Sequence, residues 1–208
     1  MRKTPLVNQC YYHIYNRGNN RRDVFLDEND LQYFLDALKL FNHTESLGYS
    51  GQYRRKNPQE VEKIVSLVAY ALNPNHFHLL LMQNVDNGIS KFMQKLSTGY
   101  TMFFNKKYQS SGALFQGRFK SVLVEDDSYL DHLSAYINLN HKVHYIVIDE
   151  KYRSSFLEYV RGSTSYTDMC DKDIILDRFS AEEYQIFAEN SVKSTLNLRG
   201  LQDDILME

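Results

Sequence analysis

The stretch Ile64-Val65-Ser66-Leu67-Val68-Ala69-Tyr70-Ala71-Leu72, then Asn73-Pro74-Asn75, then His76-Phe77-His78-Leu79-Leu80-Leu81-Met82-Gln83 decides the architecture. The first segment is apolar and of strand length, far short of the ~18 residues that span a bilayer. Asn-Pro-Asn is turn chemistry. The second segment then returns as a partner strand, so the three pieces read as a β-hairpin. Side chains alternate sides along a strand. His76 and His78 therefore share one side, and Phe77, Leu79 and Leu81 share the other, the side that suits a core.

Working outward, Cys10 to Arg17 is β-prone and aromatic and ends at Gly18-Asn19-Asn20, a strand and turn. Asp27 to Phe41 places Leu31, Phe34, Leu35, Leu38 and Phe41 at helical spacing, with Asp27 or Asn29 as candidate N-cap. His43 to Glu60 is a polar loop carrying Arg54-Arg55-Lys56. Ile89 to Asn105 repeats Phe92, Met93, Leu96, Tyr100, Phe103 and Phe104 with the period of an amphipathic helix. Gly112 to Val124 reads as extended, and Asp126-Asp127-Ser128 opens a helix running to about Asn140. The order β-α-β-β-α-β-α predicts an α+β fold: a ferredoxin-like (RRM-like) antiparallel sheet with helices on one face. Residues 1–150 form this domain. Residues 151–208 read as an acidic C-terminal extension with one or two helices, such as Ala181 to Val192.

A chain of 208 residues suits one domain with an appendage. Apolar residues at 43% and charged residues at 24% belong to a folded globular chain rather than a disordered one. Two cysteines, Cys10 and Cys170, exclude a disulfide framework and a four-cysteine metal site. With no signal-like apolar stretch after Met1-Arg2-Lys3-Thr4-Pro5, a reducing cytoplasm is the expected location. The net charge of −2 argues against a nucleic-acid partner until it is resolved along the chain. Residues 161–208 carry a net −5 and the remainder a net +3. Ile89 to Leu123 holds Lys91, Lys95, Lys106, Lys107, Arg118 and Lys120 with no acid at all. Such a stretch is either a phosphate-tracking surface or simply a solvated helix face followed by a basic strand.

Two imidazoles on one strand face can chelate a divalent metal, given a third ligand and an open position. The alternative is two polar groups on an exposed sheet face. Tyr136 and Asn140 are i and i+4 on one helix face, with His132 one turn earlier on nearly the same stripe. An amide oxygen can complete a two-histidine site, and a phenol beside the metal can attack a phosphodiester. Free tyrosine has a pKa of ~10, so it needs a nearby cation to become a good nucleophile. Taken alone, Tyr136 is equally a packing residue among 16 tyrosines.

Four segments occur in order: Tyr12-His13-Ile14-Tyr15-Asn16-Arg17-Gly18-Asn19-Asn20, Asn75-His76-Phe77-His78-Leu79-Leu80, Gly112-Ala113-Leu114-Phe115-Gln116-Gly117-Arg118-Phe119-Lys120, and Tyr136-Ile137-Asn138-Leu139-Asn140. Together they resemble the single-tyrosine HUH transposases of insertion sequences, in particular the REP-associated branch, over roughly Pro5 to Gly162. The resemblance implies metal-dependent cleavage and rejoining of single-stranded, hairpin-containing DNA, with Mg²⁺ or Mn²⁺ as cofactor. A bacterial, nucleoid-associated setting and a homodimer are further implications. His76 and His78 match the metal-binding pair, Tyr136 the nucleophile that takes the 5′-phosphate, and Asn140 the third ligand. The family commonly has Asn-Pro where this chain has Asn140-His141, so the helix end can shift and His141 can compete as a ligand. Tyr129, seven residues earlier, is the competing nucleophile, but its i+4 partner is Leu133 rather than an amide.

DNA-binding candidates are Asn16, Arg17, Arg21 and Arg22 around the end of the first strand, and Lys91, Lys95, Arg118 and Lys120 along the basic stretch. Tyr11, Tyr15 and Phe115 are candidates for base stacking. Two other functions compete. A catalytically silent RRM-like nucleic-acid-binding module would bind without metal and never cut. A zinc hydrolase using water would leave a free 5′-phosphate, though the chain lacks a His-Glu-x-x-His pattern to supply its base.

Overall fold

The computed structural model describes residues 5–43, 62–146, 153–162 and 169–205, with side chains to residue 197. The expected polar loop and its Arg54-Arg55-Lys56 cluster fall almost wholly in 44–61, outside the described residues. The elements are β1 (Tyr11–Arg17), α1 (Glu28–Leu40), β2 (Val65–Asn73), β3 (His76–Gln83), α2 (Gly88–Lys107), β4 (Lys120–Leu123), α3 (Asp127–Asn138), α4 (Asn140–Val143), α5 (Phe156–Arg161), α6 (Asp173–Leu176) and α7 (Ala181–Ile205). The sheet order is β2-β3-β1-β4, antiparallel throughout, which is the ferredoxin-like arrangement.

The local signals act where they stand. Asp27 caps α1 through a capping box with Asp30, each side chain accepting from the other's backbone N–H. Asp126 caps α3 by accepting from Tyr129 N. Gly18 closes the turn after β1, where a Cβ would lie 2.1 Å from the Arg22 carbonyl oxygen, so no other residue fits unaltered. The extended stretch expected from Gly112 is strand only from Lys120 to Leu123. Before it runs an irregular loop with Gly112 and Gly117 at positive φ. Asn19 N donates to Leu114 O at 2.8 Å and Gln116 N to Arg17 O at 2.7 Å, which pins that loop to the end of β1.

The helices α1 and α2 cover the Phe77 side of the sheet. Phe34 meets Phe77 at 5.3 Å between ring centroids and Tyr100 edge-on at 5.0 Å, and Phe77 meets Phe115 at 5.5 Å. The opposite side, expected to be free of helices, is partly roofed by α3 and α4, because Tyr136 reaches His78 and Asn140 reaches Asn73. The C-terminal extension packs on α3 and buries Phe156, Tyr159, Ile175, Tyr184 and Ala188 in the same core. It also covers part of the β2 edge, where Ser155 N donates to Tyr70 O and Asp171 N to Leu67 O. Its last helix starts at Ala181 as expected but continues to Ile205.

Candidate active site

Strand register builds the floor of the site. Tyr15 lies opposite His78 on one side and opposite Lys120 on the other, and Arg17 lies opposite His76. Directly paired residues share a face. A row His78–Tyr15–Lys120 and a second row His76–Arg17 therefore stand side by side. The helix α3 supplies the wall, with the Tyr136 ring edge-on to His78 at 6.1 Å between centroids. Tyr15, Asn16, Arg17, His76, His78, Lys120 and Tyr136 line one cleft of about 370 Å³, closed by Gln116 and His144.

The two motif histidines sit edge to face, 5.0 Å between centroids. His76 Nδ1 is 2.6 Å from Asn75 Oδ1, so Nδ1 carries the proton and donates, leaving Nε2 a lone pair. That Nε2 accepts from Asn73 Nδ2 at 3.0 Å. His78 Nδ1 is 2.8 Å from His13 Nε2, while His78 Nε2 is buried with no hydrogen-bond partner. Burial lowers the His76 pKa to about 4 and that of His78 well below the usual range, and neighbouring imidazoles push both the same way. Both rings are neutral at neutral pH, the form that binds metal. A buried ring nitrogen without a partner, beside a second neutral imidazole, fits a divalent cation. Among the described residues no three His, Cys, Asp or Glu side chains form a metal-binding group.

Asn140 is fully buried and is not among the residues lining the cleft. Its Oδ1 accepts from Asn73 Nδ2 at 2.6 Å, so a single Asn73 amide bridges Asn140 and His76 Nε2. The helix ends here even without the proline: α3 stops at Asn138 and α4 starts at Asn140. His141 is buried away from the cleft lining, and His144, one turn beyond Asn140, enters it instead. Sequence reading missed His144, although its i+8 spacing from Tyr136 was a usable signal. It also missed His13 and Gln116. His132 turns away, packing on Phe187 with Nδ1 3.1 Å from Ser191 Oγ.

The basic stretch does not form one surface. Lys120 lines the cleft, its Nζ 5.9 Å above the Tyr15 ring. Arg118 lines an adjoining groove with Ser90, Gln94 and Ser97. Lys95 and Lys106 border a separate hollow with Tyr33 and Met102, and Lys95 Nζ reaches the His43 carbonyl at 3.5 Å. Lys107 is tied to Asp27 and Asp30. Lys91, Arg21 and Arg22 are exposed, and Arg22 stacks over Phe104. Asn16 is nearly buried, and its Nδ2 donates to Gly117 O at 3.1 Å, so it holds the loop beside the cleft. Phe115, expected as a stacking platform, is core against Phe77 because the loop folds it inward. Tyr15 remains at the cleft, and Tyr11 is half-buried.

Residues 55–140 match the family model for IS200-like transposases, a span that holds His76, His78, Tyr136 and Asn140. A search of curated proteins gives no match. Among solved structures, a REP-associated tyrosine transposase bound to a REP hairpin superposes with a TM-score of 0.53 at 15% identity, over 81% of this chain and 93% of that one. A Deinococcus radiodurans R1 protein assigned as a transposase gives 0.39 at 16% identity, over 72% of this chain and 100% of that one. The tRNA(His) guanylyltransferase of Saccharomyces cerevisiae gives 0.38 at 10% identity, over 88% and 77%. At these two lower scores the likeness carries no functional argument. The first shares the fold, and the similarity to IS200-like transposases falls on residues 55–140, the segment that supplies His76, His78 and Tyr136 to the cleft.

Proposed function

We propose that this protein is a transposase: a metal-dependent endonuclease and strand transferase acting on single-stranded, hairpin-containing DNA through a 5′-phosphotyrosine intermediate at Tyr136. The observation that carries this reading is the placement of Tyr136 beside His78 in a cleft that also holds His76, Arg17 and Lys120. Tyr136 Oη attacks the scissile phosphorus and gives up its proton. The bond from phosphorus to the 3′-oxygen breaks, and that oxygen leaves as a 3′-OH after taking a proton. Reverse attack by a 3′-OH on the phosphotyrosine rejoins the strands, so no nucleotide is consumed. Arg17 and Lys120 offset phosphate charge, and Tyr15 offers a ring against which a base can stack. Arg21, Lys91, Lys95 and Arg118 stand outside the cleft and would contact DNA that extends beyond it, and Asn16 acts by holding the loop. His76 and His78 would hold Mg²⁺ or Mn²⁺, with Asn140 as third donor once Asn73 releases it. Such an ion supplies Lewis-acid polarisation of the phosphate. A homodimer and action on the bacterial nucleoid complete the proposal.

The deciding experiment is a denaturing gel of the protein with labelled single-stranded hairpins in Mn²⁺ or in EDTA. A metal-dependent protein–DNA band that Tyr136→Phe abolishes, with DNA binding retained, supports the reading. Cleavage to a free 5′-phosphate without that band points to a water-using hydrolase. Binding without any cleavage points to a silent RRM-like module.

A further inference from the structure

We propose that His13 is a positioning residue for the metal site: its Nε2 accepts the Nδ1 proton of His78 and so fixes His78 in the tautomer whose Nε2 lone pair faces the cleft. The inference rests on the proposed role of His76 and His78 as the metal pair.

The geometry carries it in three steps. On β1 side chains alternate, so His13 and Tyr15 share the cleft side of the sheet. Tyr15 is directly opposite His78 and His13 is opposite Leu80, which makes His13 the diagonal neighbour of His78, within reach of a long side chain. The two imidazoles lie nearly parallel, 5.0 Å between centroids at 24°, with Nε2 of one 2.8 Å from Nδ1 of the other. A short contact between two neutral ring nitrogens needs one proton between them, and the protonated partner decides the chemistry of the site.

If His78 carries that proton on Nδ1, its Nε2 is a bare lone pair. If His13 carries it, His78 must bear its own proton on Nε2. That N–H would be a buried donor with no acceptor, since His78 Nε2 has no partner. His76 shows the same arrangement built locally, its Nδ1 donating to the preceding Asn75 Oδ1. The strand thus carries two Nε2 lone pairs, that of His76 accepting from Asn73 Nδ2 and that of His78 without a partner. One is oriented by a neighbour in sequence and the other by a residue 65 positions away. Outer partners of this kind typically set metal affinity by ~10–100-fold.

The test uses the full chain, with His13→Phe to keep the ring and remove the acceptor, and His13→Gln to restore an acceptor. Mn²⁺ binding is titrated by the electron-spin resonance of the free ion. Nitrogen-15 shifts of the His78 ring are read in the metal-free protein. The expected result is a wild-type His78 protonated on Nδ1, a mixed or Nε2-protonated ring in His13→Phe, and Mn²⁺ binding weakened by ~10–100-fold in His13→Phe with most of it recovered in His13→Gln. Thermal unfolding and metal-free DNA binding serve as controls that a misfolded variant would fail. In that case the wild-type ring shifts alone decide the matter, since a His78 protonated on Nε2 overturns the proposal. Unchanged Mn²⁺ affinity in a folded His13→Phe also overturns it. If His78→Ala leaves Mn²⁺ binding intact, the metal pair itself is wrong and the proposal falls with it.

Discussion

The two sides of β3 are one residue apart in sequence and opposite in chemistry. Phe77, Leu79 and Leu81 are wholly buried among α1, α2 and the aromatic rings of Phe34 and Tyr100. His76 and His78 line a cleft walled by α3, and of their ring nitrogens only His78 Nε2 is without a hydrogen-bond partner. Both sides are covered by helices, so burial alone does not separate core from site. What separates them is the way polar groups are satisfied. Phe77, Leu79 and Leu81 carry no polar side-chain atom, and the Tyr100 hydroxyl among the rings near them donates to Val24 O, whereas the polar side ends in a His78 nitrogen with no hydrogen-bond partner. A buried atom left open at a cost of order 1–3 kcal/mol is a better marker of function than exposure.

The sharpest way to break this contrast is to change one side at a time. Tyr136→Phe removes one hydroxyl from the polar side. It should abolish the covalent DNA adduct on a denaturing gel while leaving the melting temperature within a few degrees. Phe77→Ala opens a cavity on the apolar side and should cost about 3–5 kcal/mol, read as a fall in the urea midpoint at unchanged slope. His76→Ala, one residue away, should leave that midpoint nearly untouched and remove Mn²⁺ binding. If the two substitutions destabilise equally, the division between the sides is wrong.

A smaller effect lies behind the wall of the cleft. Tyr184 on α7 donates its hydroxyl proton to Ser134 Oγ, whose own proton goes to Asp131 O, and accepts from Asn138 Nδ2. Ser155 Oγ donates to Asn138 Oδ1. Ser134 and Asn138 flank Tyr136 on the buried side of α3, so this network ties the C-terminal extension to the helix bearing Tyr136. Tyr184→Phe leaves Asn138 an unsatisfied buried donor and should cost about 1–3 kcal/mol in urea unfolding. If α3 is held by this contact, the adduct yield also falls.

The smallest effect is a pH dependence. A hydrogen bond from Lys107, ahead of all other causes, holds the Asp27 carboxyl below its usual value of 3.8. A depressed folded pKa contributes stability that is present above about 3.8 and is lost as pH falls through the lower, folded value. Lys107→Met should lower stability above about pH 3.8, pH 7 included, and flatten the acid-denaturation curve below it, where the wild type loses the same contribution.

The hairpin, the capped α1 and the long α2 were legible because each carries its own period and its own end signals, Asp27 and Asn73-Pro74-Asn75 among them. The histidine pair and Tyr136 were legible as motifs. The rows across the sheet were not. That Tyr15 stands between His78 and Lys120 depends on register, which no local pattern states. The same gap hid His13, whose partner is 65 residues away. It also left open whether the basic stretch forms one surface: the turn of α2 and the irregular loop after it send Lys95, Lys107, Arg118 and Lys120 to four different surroundings. Helices on both sides of the sheet could not be foreseen either, because the layer formed by α3, α5 and α7 rests on contacts among residues 130–192 that carry no single motif.

The most direct measurement is mass spectrometry of the protein after reaction with a hairpin oligonucleotide in Mn²⁺, nuclease trimming and proteolysis. A nucleotide 5′-phosphate remnant on the peptide containing Tyr136, and on no other, is the predicted result. The remnant on Tyr129 or elsewhere, or cleaved DNA with a free 5′-phosphate and unmodified protein, would contradict it.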